Sequence, residues 1–245
     1  MTSLVDAGDH LGDGRDRIIE AFKLGGSTII GSDINPGFAE LMAIMSSTIC
    51  DRIDKITVTE SGDIALYDSP ATRSPPALAG RSMTPDLQAV TAEGTGVFRD
   101  GLLLLAEALG VELDDIRCDA EYAQTTEDLD LPEDWKIKKG CVAGIDARWR
   151  GFVGDRDVVE IRVRWRKGQT LDLDWKMDTM GYELEVQGQP TIKTTIQLLP
   201  TPDFQFETLA DFTVLGMIIT AMPAVNAIPV VVEAPRGSRR ATTCR

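Results

Sequence analysis

The side chains best suited to chemistry are few and scattered. One histidine, His10, stands near the start of the chain, and four cysteines, Cys50, Cys118, Cys141 and Cys244, lie far apart. A lone imidazole argues against a His-based catalytic triad and against a histidine-rich metal site, so no metal is expected. The cysteines form no CxxC pair and no disulfide-dense framework, which fits buried thiols in a reducing cytoplasm. Arg162, Arg164 and Arg166 alternate with Ile161, Val163 and Trp165. That spacing gives a strand with one basic and one apolar face. The basic face is either solvated and ion-paired or a contact for an anion or a second subunit. No GxGxxG follows a strand, and no P-loop, GxSxG, HExxH or EF-hand loop occurs. Gly12-Asp13-Gly14 opens a helix but lacks a preceding strand and a third glycine, so no complete dinucleotide-binding unit is present.

The elements that must position any site follow from periodicity. The 245 residues are 43% hydrophobic and 26% charged, a globular composition, and the net charge of −14 argues against a nucleic-acid or anionic-membrane partner. Helical spacing marks 14–25, 38–49, 94–109 and 209–222, with Gly110 as a stop after Phe98, Leu102, Leu105 and Leu109. Strand-like runs cover 27–31, 116–126, 140–152, 157–166, 182–186 and 191–198, and Ile56, Val58 and Glu60 alternate with Thr57 and Thr59. Asn35-Pro36-Gly37 is a turn signal, and the Pro- and Ser-rich stretch 69–85 reads as a long loop. The most apolar stretch, 214–232, carries Pro223, Asn226 and Pro229 and reads as a buried helix followed by an extended segment rather than a membrane span. Trp135, Trp149, Trp165 and Trp175 fall in or beside strands, where large aromatics belong to a core or an interface. Consecutive strands without strict βαβ alternation predict an α+β fold. Its sheet is mixed or largely antiparallel, with helices on one face.

Several pieces occur in a distinctive order. Ser32-Asp33-Ile34-Asn35-Pro36-Gly37-Phe38 leads into a helix and a strand, followed by Tyr67-Asp68-Ser69-Pro70-Ala71-Thr72. Then come Gly140-Cys141-Val142-Ala143-Gly144, Val163-Arg164-Trp165-Arg166, Gly181-Tyr182-Glu183-Leu184-Glu185, and a stretch from Ala221-Met222-Pro223 to Ala227-Ile228-Pro229. Across roughly 18–232 this order resembles 2,4-diaminopentanoate dehydrogenase-like oxidoreductases, distant relatives of dihydrodipicolinate reductase. The resemblance implies two-domain enzymes. A Rossmann domain binds NAD(P)H, and an α+β domain carries substrate contacts and the subunit interface. Residues 1–34 would then be a remnant of the dinucleotide-binding domain, its last helix and strand. Residues 35–233 would be the substrate-binding and oligomerisation domain, and 234–245 a disordered or frameshifted tail. The implied cofactor is NAD(P), with hydride transfer at an amine-bearing carbon. The implied partners are a small amine- or amino-acid-like substrate and further copies of the chain. Lacking a phosphate cradle, the chain is expected not to turn over alone. The rival expectation is a non-catalytic ligand-binding or dimerisation module, or the remnant of a damaged gene.

The resemblance also nominates site residues. Dihydrodipicolinate reductases carry E-A-H-H-R-H-K-x-D-x-P-S-G-T. Glu60, Asp68 and Pro70 keep that spacing, but Gly62 and Asp63 occupy the histidine positions and Leu66 the lysine position. Leucine can neither donate a proton nor hold a carboxylate, so dihydrodipicolinate reductase activity is not expected. Asp63 and Tyr67 are the catalytic candidates: either Asp63 or Asp68 would anchor a substrate ammonium, and Tyr67 would donate or accept a proton. Asp68, Ser69 and Thr72 are the substrate-binding candidates, although Asp68-Ser69-Pro70 also reads as a plain turn. Asn35 and Gly37 are the cofactor-binding candidates, with Asn35 offering an amide to substrate or to a nicotinamide carboxamide, or simply capping the turn before Pro36. Asp33 stands where the family has glycine and brings a negative charge toward an anionic cofactor. The polar run Gln124-Thr125-Thr126-Glu127-Asp128 reads as a strand-end loop.

Overall fold

Alternating side chains in six long runs build one sheet, and helices cover the apolar side of it. The computed structural model describes residues 11–65, 80–131, 135–173, 175, 177, 181–205, 210–235 and 237–239. The chain opens with α1 (Asp13–Leu24) and β1 (Thr28–Ile30). A kinked turn at Ile34–Phe38 leads into α2 (Ala39–Ser47) and β2 (Arg52–Asp63). Next come α3 (Leu87–Gly94), α4 (Phe98–Leu109) and β3 (Asp115–Gln124). The short β4 (Leu129–Asp130) and β5 (Lys136–Ile137) form a separate pair. Then follow β6 (Val142–Val153), β7 (Arg156–Arg166), β8 (Gly181–Gln189) and β9 (Ile192–Ile196). The described chain closes with α5 (Ala210–Glu233) and β10 (Gly237–Arg239).

The sheet order is β3-β6-β7-β2-β8-β9. Every neighbouring pair is antiparallel except the central β2–β7 pair, which is parallel. This is the expected α+β architecture with a mostly antiparallel sheet. Helices α2, α3 and α4 pack on one face of it. Leu102 and Leu105 of α4, Ile56 and Val58 of β2, Ile161 and Val163 of β7, and Leu184 and Val186 of β8 form the heart of the core. Burial of each such side chain is worth about 1.5–3 kcal/mol. The opposite face carries the arginine row. Arg162, Arg164 and Arg148 surround Asp146, which is 1% exposed, so the basic face is ion-paired within the chain.

Three departures from the periodicity reading are informative. Helix α3 lies between the expected 69–85 loop and the expected 94–109 helix, where no element was expected; its Leu87 and Thr91 are buried against β3, a tertiary contact that no local period encodes. The stretch expected as a buried helix and an extended segment is one helix, α5, with Pro223 and Pro229 inside it. It is not buried: its main contacts among the described residues are with β1 and the Ile34–Phe38 turn, and Met217, Val225, Ile228 and Val232 stay exposed. By length and composition alone, Val214–Glu233 could cross a membrane, with a mean hydropathy of 2.0. Finally, Gly237–Arg239, within the stretch read as a tail, pairs in parallel with β1.

Candidate functional site

The site grows out of one misfit on the apolar face of β2. Ile56 and Val58 point into the core, and strand parity sends Glu60 the same way. An acid on a core-facing row must be paired, because burying a carboxylate without partners is very costly. Three elements provide the donors. Asn35 of the kinked turn donates through Nδ2 to Glu60 Oε2 at 2.8 Å, and Trp165 of β7 donates through Nε1 to Oε1 at 2.7 Å. Tyr182 of β8, directly across the ladder from Glu60, hydrogen-bonds the same carboxylate through its hydroxyl. Burial lifts the Glu60 pKa above the usual carboxylate value, and the three hydrogen bonds pull in the opposite direction without cancelling the rise. Burial and the Glu60 charge together push the Tyr182 hydroxyl far above its ordinary pKa, so it stays protonated.

The kinked turn is shaped by local chemistry. Asp33 caps it by accepting from Ile34 N at 2.7 Å, and Phe38 N closes back on Asp33 O at 3.0 Å. Asn35 and Pro36 are extended, with a cis bond between them, and Gly37 has φ 146°, a conformation that side chains with a Cβ rarely adopt. Behind the turn, Glu40 of α2 accepts from Gly37 N at 2.5 Å while being 0% exposed.

These groups face a cavity of about 510 Å³. Its polar floor holds Asp33, Asn35, Glu60 and Tyr182, and its walls are Ile34, Ile64, Val97, Phe98, Trp165 and Leu198, with Ile219 and Thr220 of α5 at one side. Phe98 and Trp165 meet at a ring-centroid distance of 5.9 Å, tilted by 57°. Asn35 Oδ1 is buried and has no partner. No lysine or arginine is among the described residues lining the cavity. A second hollow of about 600 Å³ lies against α4 and β3, and none of its lining side chains belongs to the buried unpartnered set.

The structure treats the candidates from sequence unevenly. Asn35 lines the cavity, and Gly37 lies behind it in the same turn. Asp63 is not among the lining residues. Its Oδ1 accepts from Ala65 N at 3.1 Å and Gly168 N at 3.2 Å, and its Oδ2 lies 3.4 Å from Arg166 Nε. Beside it, the buried Lys167 donates to Ile64 O at 3.1 Å and stacks 4.3 Å over the Trp135 ring. Tyr67, Asp68, Ser69 and Thr72 lie outside the described residues, as does His10. Sequence reasoning missed Glu60, Glu40 and Tyr182 as site residues and took Trp165 for a core or interface residue. For Glu60 a signal existed: it shares parity with Ile56 and Val58, so it is an acid on an apolar row.

The described residues do not fit a whole nicotinamide dinucleotide. The unpartnered Asn35 Oδ1 could accept from a carboxamide, but the surrounding charges are the acids Asp33 and Glu60, and no basic group among the described residues lines the cavity to hold phosphates. The chemistry open to this wall is capture of a cation and proton exchange with it.

Comparison with known proteins agrees with the fold. The model of the 2,4-diaminopentanoate dehydrogenase C-terminal domain matches residues 38–243. An amine dehydrogenase from Streptomyces virginiae is 25% identical over 191 residues, which cover 75% of this chain and 52% of that protein. The solved structure of an amine dehydrogenase from Mycobacterium smegmatis superimposes with a TM-score of 0.69 at 17% identity, covering 98% of this chain and 65% of that one. The chain therefore spans about half of the first relative and 65% of the second.

Proposed function

The chain belongs to the 2,4-diaminopentanoate dehydrogenase C-terminal domain family, and from that premise we propose that it forms the amine-binding wall of an amine-dehydrogenase-like oxidoreductase. One observation carries this reading: a carboxylate on the core face of a sheet, held by three donors, borders an apolar cavity in which a neighbouring amide oxygen has no partner. A primary ammonium has donors for both groups. Glu60 attracts it by charge, Asn35 Oδ1 accepts a second N–H, and the apolar walls take the carbon skeleton. The raised pKa of Glu60 then suits it to take a proton from the bound ammonium, leaving the free amine that oxidation requires. Asp33 and Glu60, with no basic lining residue, disfavour a substrate that also carries a carboxylate. The substrate class is accordingly an apolar primary amine rather than an amino acid.

The nicotinamide cofactor belongs to the proposal as the hydride acceptor of the family's chemistry, held by residues other than those described. On the chain alone, amine binding without turnover is the expected behaviour. Self-association is part of the same reading, since α5 exposes a long apolar surface. Light scattering after size exclusion is expected to show a species larger than one chain, and a monodisperse monomer would remove that part.

Binding tests the core of it. Cyclohexylamine should quench tryptophan emission and bind about tenfold or more tightly than cyclohexanol, the worth of one charged hydrogen bond. Norleucine should bind no better than cyclohexanol. A Trp165→Phe variant should lose most of the quench. Equal affinities for the amine and the alcohol would sink the reading.

A further inference from the structure

A second acid sits beneath the site with no role assigned so far. Glu40 occupies the first turn of α2, where a carboxylate ordinarily caps backbone N–H groups from a solvated surface. Here the side chain is 0% exposed, and only one of its two oxygens is engaged: Oε2 accepts from Gly37 N, while Oε1 is buried without a partner. Solvation could not be given up for capping alone, because an exposed acid would cap the helix without the burial cost.

The packing around Glu40 is built to admit it. Gly101 of α4 carries no side chain at the point of contact; a Cβ there would come within 2.5 Å of Ile161 Cδ1, 2.9 Å of Pro36 Cβ and 3.3 Å of Glu40 Oε1. Glu40 and Glu60 thus grip the same turn on either side of Pro36, one through Gly37 N and the other through Asn35 Nδ2.

We propose that Glu40 is a positioning residue for the cavity: by holding Gly37 it fixes the turn that lets Asn35 reach Glu60 and present Oδ1 to an amine. The proposal rests on the amine-binding reading above. The groups whose charge bears on Glu40 are Glu60 from β2, Asp33 from the turn and Tyr182 from β8, while α4 presents Gly101, with Asp100 next to it in sequence. Burial is the main reason its carboxyl is pushed up to about 7, with Glu60 and Asp33 adding to the rise. Ionised Glu40 is the stronger acceptor for Gly37 N and adds negative potential under the ammonium, so amine affinity should strengthen as the pH rises through neutrality.

Three variants test this with cyclohexylamine as the probe. Glu40→Leu, checked for folding by circular dichroism, should weaken binding about tenfold at pH 8, the effect of one lost charged hydrogen bond. It should also shift the Trp165 indole N–H resonance as Asn35 releases Glu60. Glu40→Gln, which can still accept from Gly37, should match the unaltered chain at pH 6. It should lack the gain in affinity between pH 6 and pH 8. Unchanged affinity and an unmoved indole resonance in Glu40→Leu would overturn the proposal. If Glu40→Leu does not fold, Glu40→Gln decides, and a pH profile identical to that of the unaltered chain overturns it. Glu60→Gln separates the two ideas. If it leaves amine binding intact, the amine-binding reading fails; if it abolishes binding while the Glu40 variants behave as the unaltered chain, only the positioning role falls.

Discussion

Asp146→Ala unfolds at a lower urea concentration than the unaltered chain, with a stability loss of about 2–4 kcal/mol. Asp146 lies on the polar face of β6, yet it is 1% exposed because three arginines close over it. Arg162 grips it with two guanidinium nitrogens, Nε at 2.7 Å, while Arg164 Nε lies at 3.3 Å and Arg148 Nε at 3.6 Å. Removing the anion leaves three cations facing one another on adjacent strands without their shared partner. The arginines are between 16% and 36% exposed, so water screens part of their repulsion, which places the loss below that of a fully buried pair. Burial by itself would raise the Asp146 pKa, but the Arg162 hydrogen bond and the charges of Arg162, Arg164 and Arg148 outweigh it and hold the carboxyl below its ordinary value. A depressed acid contributes stability that is present above its unfolded pKa and lost as the pH falls through the folded one. The stability deficit of Asp146→Ala should therefore narrow toward strongly acidic pH. A deficit of less than about 1 kcal/mol at pH 7 would mean that these arginines find adequate solvation without their partner.

Glu40→Gln produces the opposite pH signature. The folded carboxyl, lifted to about 7 from an ordinary 4.5, binds a proton more tightly than in the unfolded chain. Below about pH 4.5 both states are protonated and the shift costs nothing. Between there and pH 7 the unfolded chain ionises first, so the native protein loses stability as pH rises, by up to about 3 kcal/mol in total. A glutamine cannot ionise and escapes that loss. Urea unfolding of both proteins at pH 4.5, 6 and 8 should show the variant gaining on the native chain at each step. Parallel pH profiles would mean that Glu40 ionises in the folded chain as readily as in the unfolded one. On the proposed reading, an acid that weakens the fold at the pH where amine binding improves is the expected trade between stability and function.

Much of the scaffold was legible because its signals are local. Phe98, Leu102, Leu105 and Leu109 announce α4 by their spacing, and the alternation of Arg162, Arg164 and Arg166 with Ile161, Val163 and Trp165 fixes both faces of β7. The site was not legible in the same way, since its members are brought together by register. Trp165 reaches Glu60 because Gly62 is its ladder partner on β2, and Tyr182 reaches it because β8 runs antiparallel on the other side. No local pattern specifies either pairing. The attention given to Asp63 came from aligning a motif along the chain, whereas the acid at the cavity lies three residues earlier. The apolarity of α5 was equally plain, but burial depends on what packs against a helix, and among the described residues its main contacts are β1 and the turn.

The parallel pairing of β2 with β7 also governs when the cavity can come into existence. The indole that donates to Glu60 is 105 residues further along the chain, so this contact is strongly non-local. Closing a loop of that length costs about 4 kcal/mol of chain entropy before any contact made by the closure offsets it. During synthesis β2 must wait, with both edges unpaired, until β7 and then β8 emerge, and an unpaired apolar strand is a template for association with other chains. Glu60 has a use in that interval: its charge sits on the row that would otherwise be the most adhesive surface of the nascent chain. The acid that borders the cavity thus also interrupts the apolar row of the strand until its partners arrive.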